Sequence, residues 1–160
     1  MNTELLFSSK SDEWITPQDL FAQLHAEFDF DVDLAATGLN TKCASFYSAA
    51  SSDALSDDRD WSVVHERGWL NPPYSRGLCR KFIEKAANQR RQGFLTVMLL
   101  PARTDNKAFH AHIYDATTWQ SREGVEIRLL PGRLKFSDSQ NAAPFPSMVV
   151  VFRPQHAIGK

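Results

Sequence analysis

The chain has 160 residues, 42% hydrophobic and 23% charged, which is the profile of a soluble globular protein with enough length for one domain and a real core. It has no run of 18 apolar residues, its start MNTELLFSSKSDEW lacks the apolar segment of a secretory signal, and two cysteines make neither a disulfide framework nor a zinc site. Net charge is −1, yet residues 1–66 hold thirteen acids and three bases while residues 67–160 hold six acids and fifteen bases; such halves either face each other in the fold or serve different partners.

Residues 1–12 are polar and are expected to form a flexible arm before a single domain over 13–160. Thr16-Pro17 opens a predicted helix: Thr16 suits the N-cap, Pro17 the first turn, and Asp19 the positive end. Leu20, Phe21, Leu24 and Phe28 then recur at helical spacing. Phe28, Phe30, Val32 and Leu34 alternate with Asp29, Asp31 and Asp33 in a strand-like pattern. Three aspartates do not suit a strand buried on both faces, so only the Val32–Ala35 end is expected fully inside.

Residues 36–60, rich in Ser, Asp, Asn and Ala, predict a short helix and loops. A weak strand over Gly68–Asn71 runs into Pro72-Pro73. Ser75 is the expected cap of a helix from about Arg76 to Gln92, with Leu78, Phe82, Ile83 and Ala86 on one face and Gly93 as its stop. Phe94–Leu100, FLTVMLL, is the clearest buried strand and ends at Pro101. Asp105 is the expected cap of a helix to about Tyr114. Val125–Leu130 and Ser147–Phe152 are strands, with a turn at Pro131-Gly132; lacking a helix between them, they suggest an antiparallel hairpin at one sheet edge. Strands alternating with helices predict an α/β, mostly parallel sheet. In such sheets ligands bind at the carboxyl ends of strands, where Asp33, Asn71 and Pro101 all fall.

The stretch W-L-N-P-P-Y-S (69–75) carries the chemistry. An exocyclic amino group on a base is a poor nucleophile because its lone pair is delocalised into the ring. A site that alkylates it must accept hydrogen bonds from its N–H groups and draw the nitrogen toward sp³ geometry. The Asn71 side-chain oxygen can accept one, and the carbonyl of Pro72 offers a second in a rigid frame. Tyr74 can stack on the base, worth about 1–3 kcal/mol. That offsets much of the few kcal/mol needed to extrude a base from a duplex. As a plain turn, the same four residues would need no such reading. Upstream, Asp33 precedes the small-residue run L-A-A-T-G and can pair with an ammonium group; Asn40 can reach a ribose hydroxyl, and Asp53 an adenine amino group. Asp57, Asp58 and Asp60 read as a solvated acidic loop.

No G-x-G-x-x-G, G-x-x-x-x-G-K-[ST] or G-x-S-x-G occurs, so dinucleotide, NTPase and α/β-hydrolase readings have no support. The five histidines show no metal-ligand spacing. Six bases lie between Arg76 and Arg91, opposed only by Glu84. Arg76, Arg80 and Lys81, with Arg103, Arg133 and Lys135 after later strands, are the expected phosphate contacts of a DNA rim. Phe136 can wedge between bases or pack inside; packing is the expectation.

Taken in order, D-E-W-I-T-P (12–17), D-V-D-L-A-A (31–36), D-A-L-S-D-D-R-D-W (53–61), W-L-N-P-P-Y-S (69–75), L-P-A-R-T-D (100–105), G-R-L-K-F (132–136) and A-P-F-P-S (143–147) cover nearly the whole chain. This series resembles the small phage- and prophage-type DNA adenine N6-methyltransferases. The resemblance implies a Rossmann-like fold dependent on S-adenosylmethionine (SAM), with seven strands or a trimmed set. It implies transfer of methyl to a flipped adenine in double-stranded DNA, with Asn71, Pro72, Pro73 and Tyr74 as the target-base motif. Thr16-Pro17 resembles the segment touching the cofactor's methionine end. The cofactor-binding set is then Trp14, Thr16, Pro17, Asp33, Ala35, Asn40, Asp53, Leu55 and Asn71. The D-x-F-x-G-x-G glycines of the usual cofactor motif are absent, with only Gly38 nearby, and 36–66 is short for two strand–helix units. No metal and no membrane are implied, and the location is a bacterial host cytoplasm. Two alternatives share the same residues: a SAM-dependent enzyme acting on RNA or a protein amide, and a DNA-binding remnant without activity.

Overall fold

The FLTVMLL run is apolar at both alternating sets of positions, so it can be satisfied only between two covered faces. In the computed structural model, which describes residues 14–48, 53–75, 77–137 and 139–155, it forms the centre of a five-stranded sheet. The expected flexible arm 1–12 and Arg76 lie outside the described residues. In chain order the elements are α1 (Gln18–Phe28), β1 (Val32–Asp33), a 3₁₀ turn (Trp61–Val63), β2 (Arg67–Leu70), α2 (Leu78–Gln89), a 3₁₀ turn (Arg90–Gln92), β3 (Leu95–Pro101), α3 (Lys107–His112), β4 (Tyr114–Asp115), β5 (Gln120–Ser121), β6 (Val125–Leu129) and β7 (Ser147–Phe152). The strand order is β1-β2-β3-β7-β6, and β4 and β5 form a separate antiparallel pair.

β1, β2 and β3 are parallel, whereas β7 runs antiparallel to both β3 and β6. The expected antiparallel pair therefore forms, but β7 is inserted between β3 and the edge strand β6. All seven residues of β3 and all six of β7 are buried. Alternation sorts them by face. Met98, Leu100, Met148, Val150 and Phe152 join Phe82, Ile83, Ala86 and Phe109 of the two helices α2 and α3. Val97, Leu99, Val149 and Val151 join Phe21, Leu24 and Phe28 of α1 together with Phe136. Each of these Val, Leu, Ile, Met and Phe side chains, fully buried, stabilises by about 1.5–3 kcal/mol. Gly68 in β2 is a packing requirement: a Cβ there would lie 2.6 Å from Leu34 Cδ1 and 2.9 Å from the Phe94 ring.

Several expected boundaries move for identifiable reasons. Pro17, not Thr16, takes the N-cap of α1, and no side chain caps it. Gly77, at φ 94°, occupies the N-cap of α2; Ser75 contributes only its carbonyl, which accepts Cys79 N–H at 3.3 Å. Gly93 stops the helix–turn segment at φ 90°, as expected. Asn106, not Asp105, caps α3, accepting Phe109 N–H at 2.8 Å. Burial on the aspartate strand extends beyond Val32 and Leu34 to Phe28 and Phe30, while Ala35 is only half-buried. Among the described residues, 36–60 holds no helix, and its one sheet contact is the bridge Asp33–Phe46. Asp60, expected in a solvated loop, accepts Ser62 N–H at 2.9 Å and caps the first 3₁₀ turn.

Part of the charge asymmetry is consumed within the fold. Arg128 on β6 grips Glu27 of α1 through two bonds of 2.7 Å and also binds Glu126 at 2.7 Å. Glu126 in turn receives Arg153 at 2.5 Å. Asp31 accepts the backbone N–H groups of Glu66 and Arg67. The Glu27–Arg128 and Asp31–Arg67 contacts tie the acidic first half to the basic second half, and bidentate geometry favours the Glu27–Arg128 pair over ordinary surface pairs.

Thr96, fully buried in β3, has a hydroxyl without a hydrogen-bond partner. Desolvating a hydroxyl without compensation is unfavourable. Thr96→Val is therefore expected to raise stability by about 1 kcal/mol in chemical denaturation. A lowered denaturation midpoint would mean the hydroxyl is satisfied in solution.

Candidate active site

β1 and β2 are parallel neighbours, so their carboxyl ends deliver Asp33 and, just past Leu70, Asn71 to the same edge. A cavity of about 270 Å³ opens there, near the lower end of small-ligand sites. Asn71, Pro72 and Pro73 line it, as do Trp14, Thr16, Asp33, Ala35, Asn40, Asp53 and Leu55. Of the expected cofactor set only Pro17 stays out of the lining, because it is spent on the start of α1. Lys42, Tyr47, Leu78 and Phe82 also line it and were not anticipated.

The Asn71 amide is fixed from one side. Its Nδ2 donates to the Trp14 carbonyl and, at 2.9 Å, to Thr16 Oγ1. A carbonyl cannot donate, so the amide nitrogen must face Trp14 and the oxygen must face away. That Oδ1 is buried and has no hydrogen-bond partner. Leaving a buried acceptor unmade costs about 1–3 kcal/mol. Among the described residues, none donates to the Pro72 carbonyl either. Two adjacent acceptors thus stand free in a rigid loop. Thr16, expected to cap a helix, is instead the hydroxyl that helps orient Asn71.

Asp33 is 3% exposed. Burial pushes its carboxyl up to about 6, against the backbone N–H groups of Lys42 and Ala35, which favour the ionised form. Those bonds are 2.9 Å from Lys42 to Oδ2 and 3.2 Å from Ala35 to Oδ1. They fold 33–42 into a tight loop and leave each oxygen with spare acceptor capacity. Asn40 accepts Thr37 N–H at 2.7 Å, and Asp53 accepts Leu55 N–H at 2.9 Å, so both side chains hold their own loops at the cavity wall. Nothing in composition pointed to Lys42; its position follows from closure of the loop onto Asp33, and its Nζ donates to Gln18 at 2.9 Å.

Tyr74 departs from the expected placement. It does not line this cavity; it is 7% exposed, and its hydroxyl donates to the Leu99 carbonyl at 3.1 Å. Its ring meets Phe145 and Phe136 edge-on at 5.8 and 6.5 Å. Phe136, 1% exposed, packs inside this cluster with Trp14 at 5.2 Å, in line with the packing expectation.

Among the expected DNA contacts, Arg80, Lys81, Arg103, Arg133 and Lys135 are all exposed. Arg80 and Arg103 stand at a second cavity on the far side of the Tyr74 loop, which Lys81, Arg133 and Lys135 do not line. Two other bases of the same run are structural: Lys85 Nζ donates to the Ser56 carbonyl at 3.1 Å and Arg90 Nε to the Arg153 carbonyl at 3.0 Å. Among the described residues no cluster of side chains suits a metal ion, and no helix is long and apolar enough to cross a membrane.

Residues 3–159 match the family model of DNA N-6-adenine-methyltransferase (Dam). A DNA N-6-adenine-methyltransferase of Escherichia phage T1 is 36% identical over 92 residues, covering 57% of this chain and 36% of the phage protein. The Escherichia coli (strain K12) protein named "Putative methyltransferase YfdM" is 36% identical over 66 residues, covering 39% of this chain and 71% of that protein. The chain thus matches little more than a third of the phage relative's length, while the family model spans almost all of the chain. It belongs to the DNA N-6-adenine-methyltransferase (Dam) family.

Proposed function

We propose that this chain transfers a methyl group from S-adenosylmethionine to the N6 amino group of an adenine extruded from double-stranded DNA. The observation that carries the reading is the Asn71 amide, held through its nitrogen by Trp14 and Thr16 so that its buried oxygen is left unpaired. An adenine amino group has two N–H donors to offer, and Asn71 Oδ1 and the Pro72 carbonyl are two free acceptors. Accepting both bonds concentrates the lone pair on nitrogen. The cofactor, when bound, supplies an electrophilic methyl on a sulfonium. Transfer would spend the nitrogen lone pair on the new N–C bond, leave the C–S pair on sulfur and produce a cationic nitrogen that would lose one proton to water while Asn71 Oδ1 and the Pro72 carbonyl hold the amino group. Asn71 therefore never has to act as a strong base.

The donor set of the cavity fits that cofactor. Asp33 complements its ammonium, Asp53 can accept from its adenine amino group, and Ala35, Leu55 and Tyr47 supply apolar wall. We read the sheet as a shortened Rossmann-like methyltransferase sheet within one domain over 13–160. The exposed bases Lys81, Arg103, Arg133 and Lys135 favour a nucleic acid over a protein amide, and the family match favours DNA over RNA.

Incubation with labelled SAM and unmethylated duplex DNA, followed by nucleoside analysis, is expected to yield N6-methyladenine. SAM alone is expected to raise the melting temperature, because a ligand that binds only the folded state stabilises it. Binding of SAM with transfer only to RNA or protein would overturn the DNA assignment. Absence of both transfer and a melting shift would leave a DNA-binding remnant.

A further inference from the structure

The first turns of α2 separate two cavities. Leu78 and Phe82 line the Asn71 cavity, and Cys79 and Ile83 line the other. Each pair is spaced four apart, so adjacent rows of one helix face opposite sides. The target-motif loop divides them in the same way: Pro72 and Pro73 belong to the first, Tyr74 and Ser75 to the second. The second cavity also measures about 270 Å³.

Its chemistry differs between floor and rim. The floor is apolar and rigid: Ile83, Leu100, Phe109, Ile113 and Met148 are all buried. The rim carries three cations, Arg80, Arg103 and Lys107, each on a different segment, and no carboxylate belongs to the lining. Arg80 has a loose partner in Glu84 at 3.9 Å, with both side chains more than half exposed. Among the described residues Lys107 has no ion-pair partner. The loop bearing Arg103 is braced before any ligand arrives. Asn106 Nδ2 donates to the Arg103 carbonyl at 3.3 Å, and Ala102 N–H donates to the Pro146 carbonyl at 2.8 Å. The Cys79 thiol is pushed up to about 11 by burial, so it serves as neutral wall and not as a nucleophile.

An apolar-floored cavity lined by three cations, which shares the target-motif loop with the Asn71 cavity, suits a nucleotide. We propose that the second cavity binds the nucleotide flanking the target adenine on the methylated strand, its base on the apolar floor and its phosphate at Arg80, Arg103 and Lys107. This rests on the DNA reading above. It gives the enzyme a second grip on the strand, in which the cations fix register and the slot tests the neighbouring base. It also explains why bases on α2, on the β3–α3 connection and on α3 converge beside the motif loop.

The test is methyl-detected NMR on the full chain, labelled at Ile, Leu, Val and Met, titrated with thymidine 5′-monophosphate. A pyrimidine is chosen so that neither the adenine-accepting groups nor the cofactor wall compete. Shifts are expected at the Ile83, Ile113 and Met148 methyls and not at Leu55 in the other cavity. Lys107→Glu is expected to raise the Kd at least about fivefold, and thymidine without phosphate to bind at least about tenfold more weakly, from loss of charge-assisted contacts. Cys79→Phe, which fills the slot from a half-buried position, is expected to abolish the shifts. No shift in the wild type would overturn the proposal. So would inorganic phosphate alone reproducing the shifts, which would reveal a bare anion site. A parallel SAM titration read at Leu34 and Leu55 reports separately on the methyltransferase reading, so failure of one is not mistaken for failure of the other.

Discussion

Asn71→Ala is expected to reduce methyl transfer by about 10²–10³-fold, the usual cost of deleting a pre-aimed polar group from a reaction centre. SAM affinity should be nearly unchanged, because most wall groups assigned to the cofactor (Asp33, Ala35, Asn40, Asp53 and Leu55) lie on the 33–55 segment. Removing the amide also frees the Trp14 carbonyl and the Thr16 hydroxyl, so stability should fall modestly; a melting scan separates that from loss of chemistry. Asn71→Asp is a sharper test. A carboxylate cannot donate to the Trp14 carbonyl, which the Asn71 nitrogen now does. The ionised variant should therefore lose the fixed orientation and most of the activity, despite being nearly isosteric. Collapse of SAM affinity in Asn71→Ala would show that the residue serves the cofactor and not the base. Activity retained in Asn71→Asp at neutral pH would show that orientation from Trp14 is dispensable.

What the sequence revealed and what it hid divide along physical lines. A run apolar at every position but one, such as FLTVMLL with Thr96, has one solution in an α/β protein, and β3 duly occupies the centre. Glycine stops and proline breaks are local, so Gly93 and the end of β2 were legible. Antiparallel insertion of β7 beside β3 was not, because strand neighbours are chosen by contacts across the whole chain. The Thr16 case shows a local rule losing to a distant partner: a good capping hydroxyl is held by Asn71, 55 residues away. Tyr74 shows the reverse limit. Its type and spacing suggested a stacking role, and only the fold reveals the T-shaped contacts its ring makes with Phe136 and Phe145. Lys42 joins the cavity through a backbone bond to Asp33, a contact that side-chain chemistry does not announce. The acidic and basic halves were visible by counting, whereas their partial neutralisation through Glu27 and Arg128 needed the packing of α1 against β6.

Asp33 provides the second large effect, through pH. Burial holds its folded carboxyl up at about 6, above the unfolded value near 3.9. Considered alone, the group's contribution to folding is fully present below pH of about 4 and is lost as pH rises through about 6, because the folded state binds the proton more tightly. A cofactor ammonium reverses the preference: it favours the carboxylate and pays for its ionisation. SAM affinity should therefore rise with pH by up to about tenfold per unit below about 6 and level off above it. Calorimetric titration between about pH 5 and 7 reads this directly. Asp33→Asn should flatten the profile and weaken binding at pH 7, since the amide keeps one acceptor for the loop but carries no charge. Asn71 does not titrate in this range, so an acid limb in kcat/KM would be assigned to Asp33 and should vanish from kcat at saturating SAM. A wild-type affinity that stays constant across the range would remove Asp33 from the ammonium site and leave it as the brace of the 33–42 loop. In that event Asp53, an exposed residue of the same cavity lining, becomes the carboxylate to test.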